Sequence, residues 1–193
     1  MGTRGCMGVR VDGQDKLTYN HFDSYPDGLG DDMVKDIKKL LVEGQKTLRA
    51  QALALQLVDE NAKPTAEQIA KLNQFADTRV SSGSTEEWYV LLRNLQGKFA
   101  DTLYAGIMID SHEFLKDSLF CEWAYIVNLD EQTFEVYQGF QRKPHTAGRY
   151  AALPVKQETK PGYDTYYPVA LVATIPFDKL DDNWKAVLPK EEE

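Results

Sequence analysis

The chain has 193 residues, 42% of them hydrophobic and 11% aromatic, enough for one well-buried core and short for two. A formal charge of -8 argues against a nucleic-acid partner, because backbone binders carry Lys/Arg stripes that displace counterions. No apolar run approaches the roughly 20 residues needed to span a bilayer, so no membrane association is expected. Cys6 and Cys121 are the only cysteines. With no disulfide framework and no secretory h-region, they read as reduced thiols in a cytoplasmic protein.

Gly5–Val11 and Lys16–Phe22 flank the Gly-containing turn Asp12-Gly13-Gln14-Asp15, which predicts an N-terminal β-hairpin. The chain turns again at Pro26-Asp27-Gly28. From Asp31, Met33, Ile37, Leu40 and Leu41 recur at helical spacing up to a capping Gly44. A second helix is expected over 47–58. Thr65 with Gln68 reads as a capping box opening a third through Ile69, Leu72, Ala76 and Val80. Ser84 with Glu87 repeats the pattern before Trp88, Leu91, Leu92, Leu95 and Phe99, the apolar face of a fourth.

Beyond an irregular stretch over 110–118, residues 121–128 and 133–137 alternate around Leu129-Asp130-Glu131-Gln132 and predict a second hairpin. Residues 141–168 read as a long loop, with His145 exposed in it, and Val169–Ile175 as a last buried strand. The tail 189–193 reads as frayed. The expected fold class is α+β, a single domain over 1–193, with an antiparallel sheet from the N- and C-terminal hairpins and the helical middle packed on one face.

Candidate chemistry concentrates in Tyr19-Asn20-His21-Phe22-Asp23-Ser24-Tyr25-Pro26-Asp27-Gly28-Leu29-Gly30. A symmetric turn that sets Val11 against Lys16 pairs Cys6 with His21 and Arg4 with Asp23 on one face. A Cys6–His21 dyad beside an Arg4–Asp23 ion pair would activate a thiolate nucleophile. The competing reading is structural packing, because a one-residue change of turn length flips the faces.

Tyr19, His21, Asp23, Ser24, Tyr25, Gly28 and Gly30 form a candidate ligand-binding set. Two glycines permit close approach, and the free amides of a helix start attract an anion. The acidic Asp27, Asp31 and Asp32 oppose a bare phosphate there. A metal alternative joins His21 and Asp23 to Asp110 and His112, two imidazole/carboxylate pairs at i,i+2 spacing. No cofactor signature occurs, and none is expected.

Met1-Gly2-Thr3-Arg4-Gly5, the segment Tyr19–Pro26 with Gly28-Leu29-Gly30, and Glu122-Trp123-Ala124-Tyr125-Ile126-Val127-Asn128-Leu129-Asp130 together resemble a group of bacteriophage-encoded proteins also found in fungi, a group with no established activity. The resemblance implies a phage accessory role and no catalytic residues. Fainter is a similarity to N-terminal-nucleophile hydrolases, which open on a Cys-bearing strand and hairpin much as Cys6-Met7-Gly8-Val9-Arg10 leads toward Asn20-His21-Phe22-Asp23. That chemistry needs the nucleophile's own free amine, and five residues precede Cys6 here.

The resulting expectation is an accessory binding protein that sequesters a nucleotide-like small molecule or a host protein, with counter-defence as one setting for it. The alternative is a cysteine- or metal-dependent hydrolase acting on an amide or phosphoester.

Overall fold

The computed structural model describes residues 2–155 and 165–189; the glutamates of the tail lie outside them, as does part of the long loop. Strands β1 (Gly5–Val11) and β2 (Gln14–Asn20) form the expected hairpin. Its turn is only Asp12-Gly13, both at positive φ (49° and 74°), the two-residue geometry that matches strand twist. Val11 therefore faces Gln14, and Cys6 faces Tyr19. The register expected from a symmetric four-residue turn is displaced by two residues, which removes the Cys6–His21 and Arg4–Asp23 pairings.

A wide helical turn over Pro26–Gly30 leads into α1 (Asp31–Glu43), which buries Met33, Val34, Ile37 and Leu40. Gly44, at φ 124°, breaks the chain before α2 (Gln45–Ala54). The second helix ends four residues short of the expectation, and Gln56–Val58 becomes a strand, β3. Lys16 fixes that end: its Nζ donates to the carbonyls of Ala52 (2.9 Å), Leu53 (3.0 Å) and Leu55 (2.7 Å). A buried cation at carbonyls left open by a helix end satisfies both charge and hydrogen bonding.

The capping box forms at α3 (Ala66–Leu72): the Gln68 amide donates to Thr65 Oγ1, and the Thr65 amide donates to Gln68 Oε1. The helix stops well before Val80, in a 3-10 turn over Asn73–Phe75. The expected fourth helix is divided into α4 (Trp88–Leu91), a 3-10 turn over Arg93–Leu95, and α5 (Phe99–Ala105). Gly97 separates them at φ 75°, and a Cβ there would lie 3.2 Å from Asn20 Oδ1. Strand β4 (Ile107–Ile109) pairs parallel with β3, and a 3-10 turn over His112–Lys116 follows. The second hairpin is β5 (Trp123–Asn128) and β6 (Thr133–Gln138), and β7 (Ala170–Pro176) is the last strand.

The main sheet has the order β2-β1-β5-β6-β7. Its pairings are antiparallel except β1 with β5, which is parallel, so the fold is α+β with a mixed sheet. Helices α1, α2 and α5 cover one face, over Met7, Val9, Val11, Val127 and Phe134. Under the opposite face, Cys6, Leu17, Ala124, Ile126 and Tyr137 pack against Leu115, Tyr150 and Val169. The non-helical segments thus seal what the helices leave open. No helix among the described residues is long and apolar enough to cross a membrane.

Two polar clusters tie these layers together. Because β1 and β5 run parallel, their hairpin turns meet, and the Asp130 carboxylate accepts the amides of Asp12 and Gly13, each at 2.9 Å. Arg49 closes this clamp on Asp12 and Asp130. On the non-helical face, Arg149 bonds Asp15 bidentately (3.0 and 2.8 Å), Glu135 (2.5 Å), and the hydroxyls of Tyr137 and Tyr150. Its guanidinium also stacks 4.7 Å above the Tyr150 ring.

Candidate functional site

Strand β2 is an edge of the main sheet, and its outer side is only partly capped: the Ser111 amide donates to Leu17 O at 2.9 Å. Between this edge, the β3–β4 pair and α4 lies a cleft of about 520 Å³. Aliphatic Leu92, Leu95 and Met108 line it with the rings of Tyr19, Tyr89 and Phe114, and Glu60, Asp110 and Glu113 put carboxylates along it. The volume lies in the range of small-molecule sites, and apolar walls with a few polar groups are their usual chemistry. Neutral hydrogen-bonding groups come from Thr18, Gln96 and Ser111.

Tyr19 is the hinge of this region. Its ring meets Phe114 edge-on at 5.1 Å, and its hydroxyl lies 2.7 Å from His21 Nδ1. Burial raises the Tyr19 hydroxyl above its ordinary value, so it stays protonated. Burial, reinforced by the Arg93 and Arg4 charges, lowers His21, so its imidazole is neutral at neutral pH. With the phenol as donor to Nδ1 the His21 proton sits on Nε2; with Nδ1 protonated, the phenol oxygen accepts instead.

The remaining predicted residues divide sharply. Cys6 is fully buried, opposite Tyr19, a free thiol hydrogen-bonded to the free thiol of Cys121. Burial, then that bond, push the Cys121 thiol up. Cys6 is therefore a packed core thiol and makes no dyad with His21.

Asp23, at φ 51°, turns its carbonyl to accept the Leu29 amide at 2.8 Å. No Arg4–Asp23 ion pair forms among the described residues; the Arg4 guanidinium lies 5.3 Å over the Phe120 ring instead. Ser24 is buried, its Oγ accepting from Asn20 Nδ2 at 2.8 Å and its carbonyl accepting from the Tyr125 hydroxyl at 2.9 Å.

The loop over Tyr25–Gly30 spends its amides internally: Gly28 and Gly30 donate to Tyr25 O, and Leu29 to Asp23 O. Gly28 is required for this closure, since a Cβ would lie 2.2 Å from Asp23 O. Lys185 takes both Asp27 and Asp31, and the Trp184 indole donates to Asp31. The predicted anion cradle is thus a locked structural turn. None of Asp23, Ser24, Tyr25, Gly28 and Gly30 lines the cleft; Tyr19 alone of the predicted ligand set does.

Among the described residues no three His, Cys, Asp or Glu side chains converge on a metal position, so His21, Asp23, Asp110 and His112 do not meet. Asp110 instead accepts the His112 amide at 3.1 Å, and the His112 ring lies against Tyr150. His145, expected exposed, is pinned between Pro168 O at 2.7 Å and the Ala147 amide at 3.2 Å.

Tyr89, Leu92, Met108 and Phe114 were not expected in a site. Leu92 and Leu95 read as the core face of a long helix, and β4 went unrecognised. A signal existed in Ile107-Met108-Ile109, a short strand-like run bounded by Gly106 and Asp110-Ser111.

The chain matches no protein-family model, no curated protein and no solved structure.

Proposed function

We propose that the protein binds a nucleotide-like small molecule in the cleft beside β2. The observation that carries this reading is the 520 Å³ cavity with three aromatic rings, Tyr19, Tyr89 and Phe114, on its walls. A planar base gains dispersion and stacking against such rings. Thr18, Gln96 and Ser111 supply neutral donors and acceptors, and a carboxylate such as Glu60 accepts from sugar hydroxyls. The buried Cys6 offers this site no nucleophile, which favours capture over turnover. Together with the resemblance to phage-encoded proteins, that supports sequestration as the mode of action.

The test is to incubate the protein with nucleosides and with linear and cyclic nucleotides, remove free compound, and identify what heating releases by mass spectrometry. Intact release, lost in an Ile109→Trp variant that fills the cleft while melting like the parent, supports the reading. Retention of no compound by the parent refutes it.

Exposed apolar side chains favour a second reading, a host-protein partner. Phe22 (52% exposed), Phe120 (45%) and Phe140 (51%) all sit at the sheet end where β2 and β6 finish and β5 begins. Exposed aromatics grouped in this way mark contact surfaces. A Phe140→Ser variant separates the readings, since it abolishes a protein contact and leaves nucleotide retention intact.

A further inference from the structure

The cleft is chemically lopsided. Its carboxylates are Glu60, Asp110, Glu113 and Asp117, with Lys116 paired to Glu113 among them, whereas Arg4 and Arg93 are the cations whose charges act on the Tyr19 hydroxyl. The β1–β2 ladder ends at Gly5 opposite Asn20, and beyond it the Ser24 amide donates to Thr3 O, so Arg4 and His21 lie in the short stretches between these two links. Arg93 approaches from the turn after α4. Its guanidinium lies 5.8 Å from the Tyr89 ring and 5.3 Å from the Phe22 ring, and its NH1 donates to Gln96 Oε1 at 3.0 Å. Tyr89 and Gln96 both line the cleft, so Arg93 stands on its rim.

Neither Arg4 nor Arg93 makes an ion pair among the described residues, and Arg93 Nε is buried with no hydrogen-bond partner. Arg4 and Arg93 are also the two cations whose fields reach both Tyr19 and His21. Because Tyr19 occupies Nδ1, Nε2 is the ring position left to meet a ligand, and it offers a hydrogen in the tautomer protonated there. Asp77 lies within reach of the Arg93 charge and Glu122 accepts the Arg4 amide, but neither forms an ion pair with these guanidiniums among the described residues, and the buried Arg93 Nε stays unspent. An oxyanion is the complement of such a set.

We infer that Arg4, Arg93 and His21 form an anion subsite at the Tyr19 end of the cleft, and that it takes the phosphate of a nucleotide whose base lies among Tyr19, Tyr89 and Phe114. This rests on the cleft being a ligand site. The four carboxylates outnumber Lys116 beside them and so fix the direction of binding, because their net charge repels a phosphate and they accept sugar hydroxyls or base amino groups instead. The site sought at the start of α1 thus lies one strand end away, on side chains rather than amides.

Two titrations test this. In the first, inorganic pyrophosphate is added while the His21 imidazole resonances are followed by NMR. They shift to saturation in the parent, and the apparent Kd weakens at least tenfold in Arg4→Gln and in Arg93→Gln. A His21 signal that pyrophosphate leaves unmoved, in a protein that melts normally, overturns the subsite. In the second, calorimetry compares adenosine with AMP. AMP binds at least tenfold tighter in the parent, and the preference falls to within twofold in either variant. Equal affinities in the parent overturn the inference. A shifting His21 signal with neither nucleoside nor nucleotide retained keeps the subsite and refutes the cleft as the base site.

Discussion

Replacing Arg149 by Met keeps most of its apolar stem and removes its charge from between two carboxylates that water barely reaches. The Asp15 and Glu135 side chains are 11% and 8% exposed. Arg149 gives them three hydrogen bonds and gives the Tyr137 and Tyr150 hydroxyls two more. Asp15 retains Arg10 at 3.1 Å, and Glu135 retains Asn128 at 2.7 Å, so Glu135 loses its only cation among the described residues. Breaking a buried pair by removing one partner costs about 3–5 kcal/mol, a large share of a stability of about 5–15 kcal/mol. At roughly 2–4 °C per kcal/mol for this size, the melting temperature should fall by roughly 6–20 °C. Urea unfolding should show a lower midpoint at unchanged slope. Glu135→Gln on the Arg149→Met background should cost less than on the parent, because the orphaned charge is then gone. A loss below about 1 kcal/mol, as exposed pairs show, would refute the claim that this network holds the 141–155 segment to the sheet.

Lys16→Met should cost about 3 kcal/mol by leaving the carbonyls at the end of α2 without their charged donor, with faster amide exchange in Gln56–Val58 as the local readout. His21 carries a pH dependence of definite sign. Its folded value lies below the ordinary 6.5, so the unfolded chain binds the extra proton more readily. The stability it contributes is complete above about 6.5 and is lost as pH falls through the lowered folded value. Urea midpoints measured downward from neutral pH should decline less steeply in His21→Asn than in the parent. Both cysteines are buried and free, so a thiol reagent at neutral pH should modify neither until the protein is unfolded. Rapid modification of Cys6 in the native state would revive a nucleophilic role for it.

Much of the architecture was legible wherever a local signal decided it. The periodicity over Met33, Ile37 and Leu40 with Gly44 gave α1, and Thr65 with Gln68 gave the start of α3. Alternation gave the second hairpin. Helix lengths were misjudged where a distant contact overrides local preference, as Lys16 does at the carbonyls of Ala52, Leu53 and Leu55, and where the backbone turns at positive φ, as at Gly97. The parallel join of β1 to β5 has no local signature, because it depends on which strands meet after the helical middle has folded.

The same distinction explains the site. Tyr19, His21 and Arg4 were visible because the N-terminal hairpin is local, although its turn proved two residues long. Asp23 to Gly30 attracted attention for composition that turns out to serve turn closure and the Lys185 and Trp184 contacts. Tyr89, Arg93 and Phe114 join Tyr19 only through the placement of α4 and β4 against the β2 edge, and nothing in their immediate sequence announces it.

The most direct test of the cleft is a methyl NMR titration with AMP, because Leu92, Leu95, Ile107, Met108 and Ile109 all line it. We predict saturable shifts concentrated on those methyls, with Val9, Val34 and Val136 under the helical face unmoved. Methyls of the cleft that stay unshifted at millimolar AMP, or shifts spread evenly over the protein, would contradict the account.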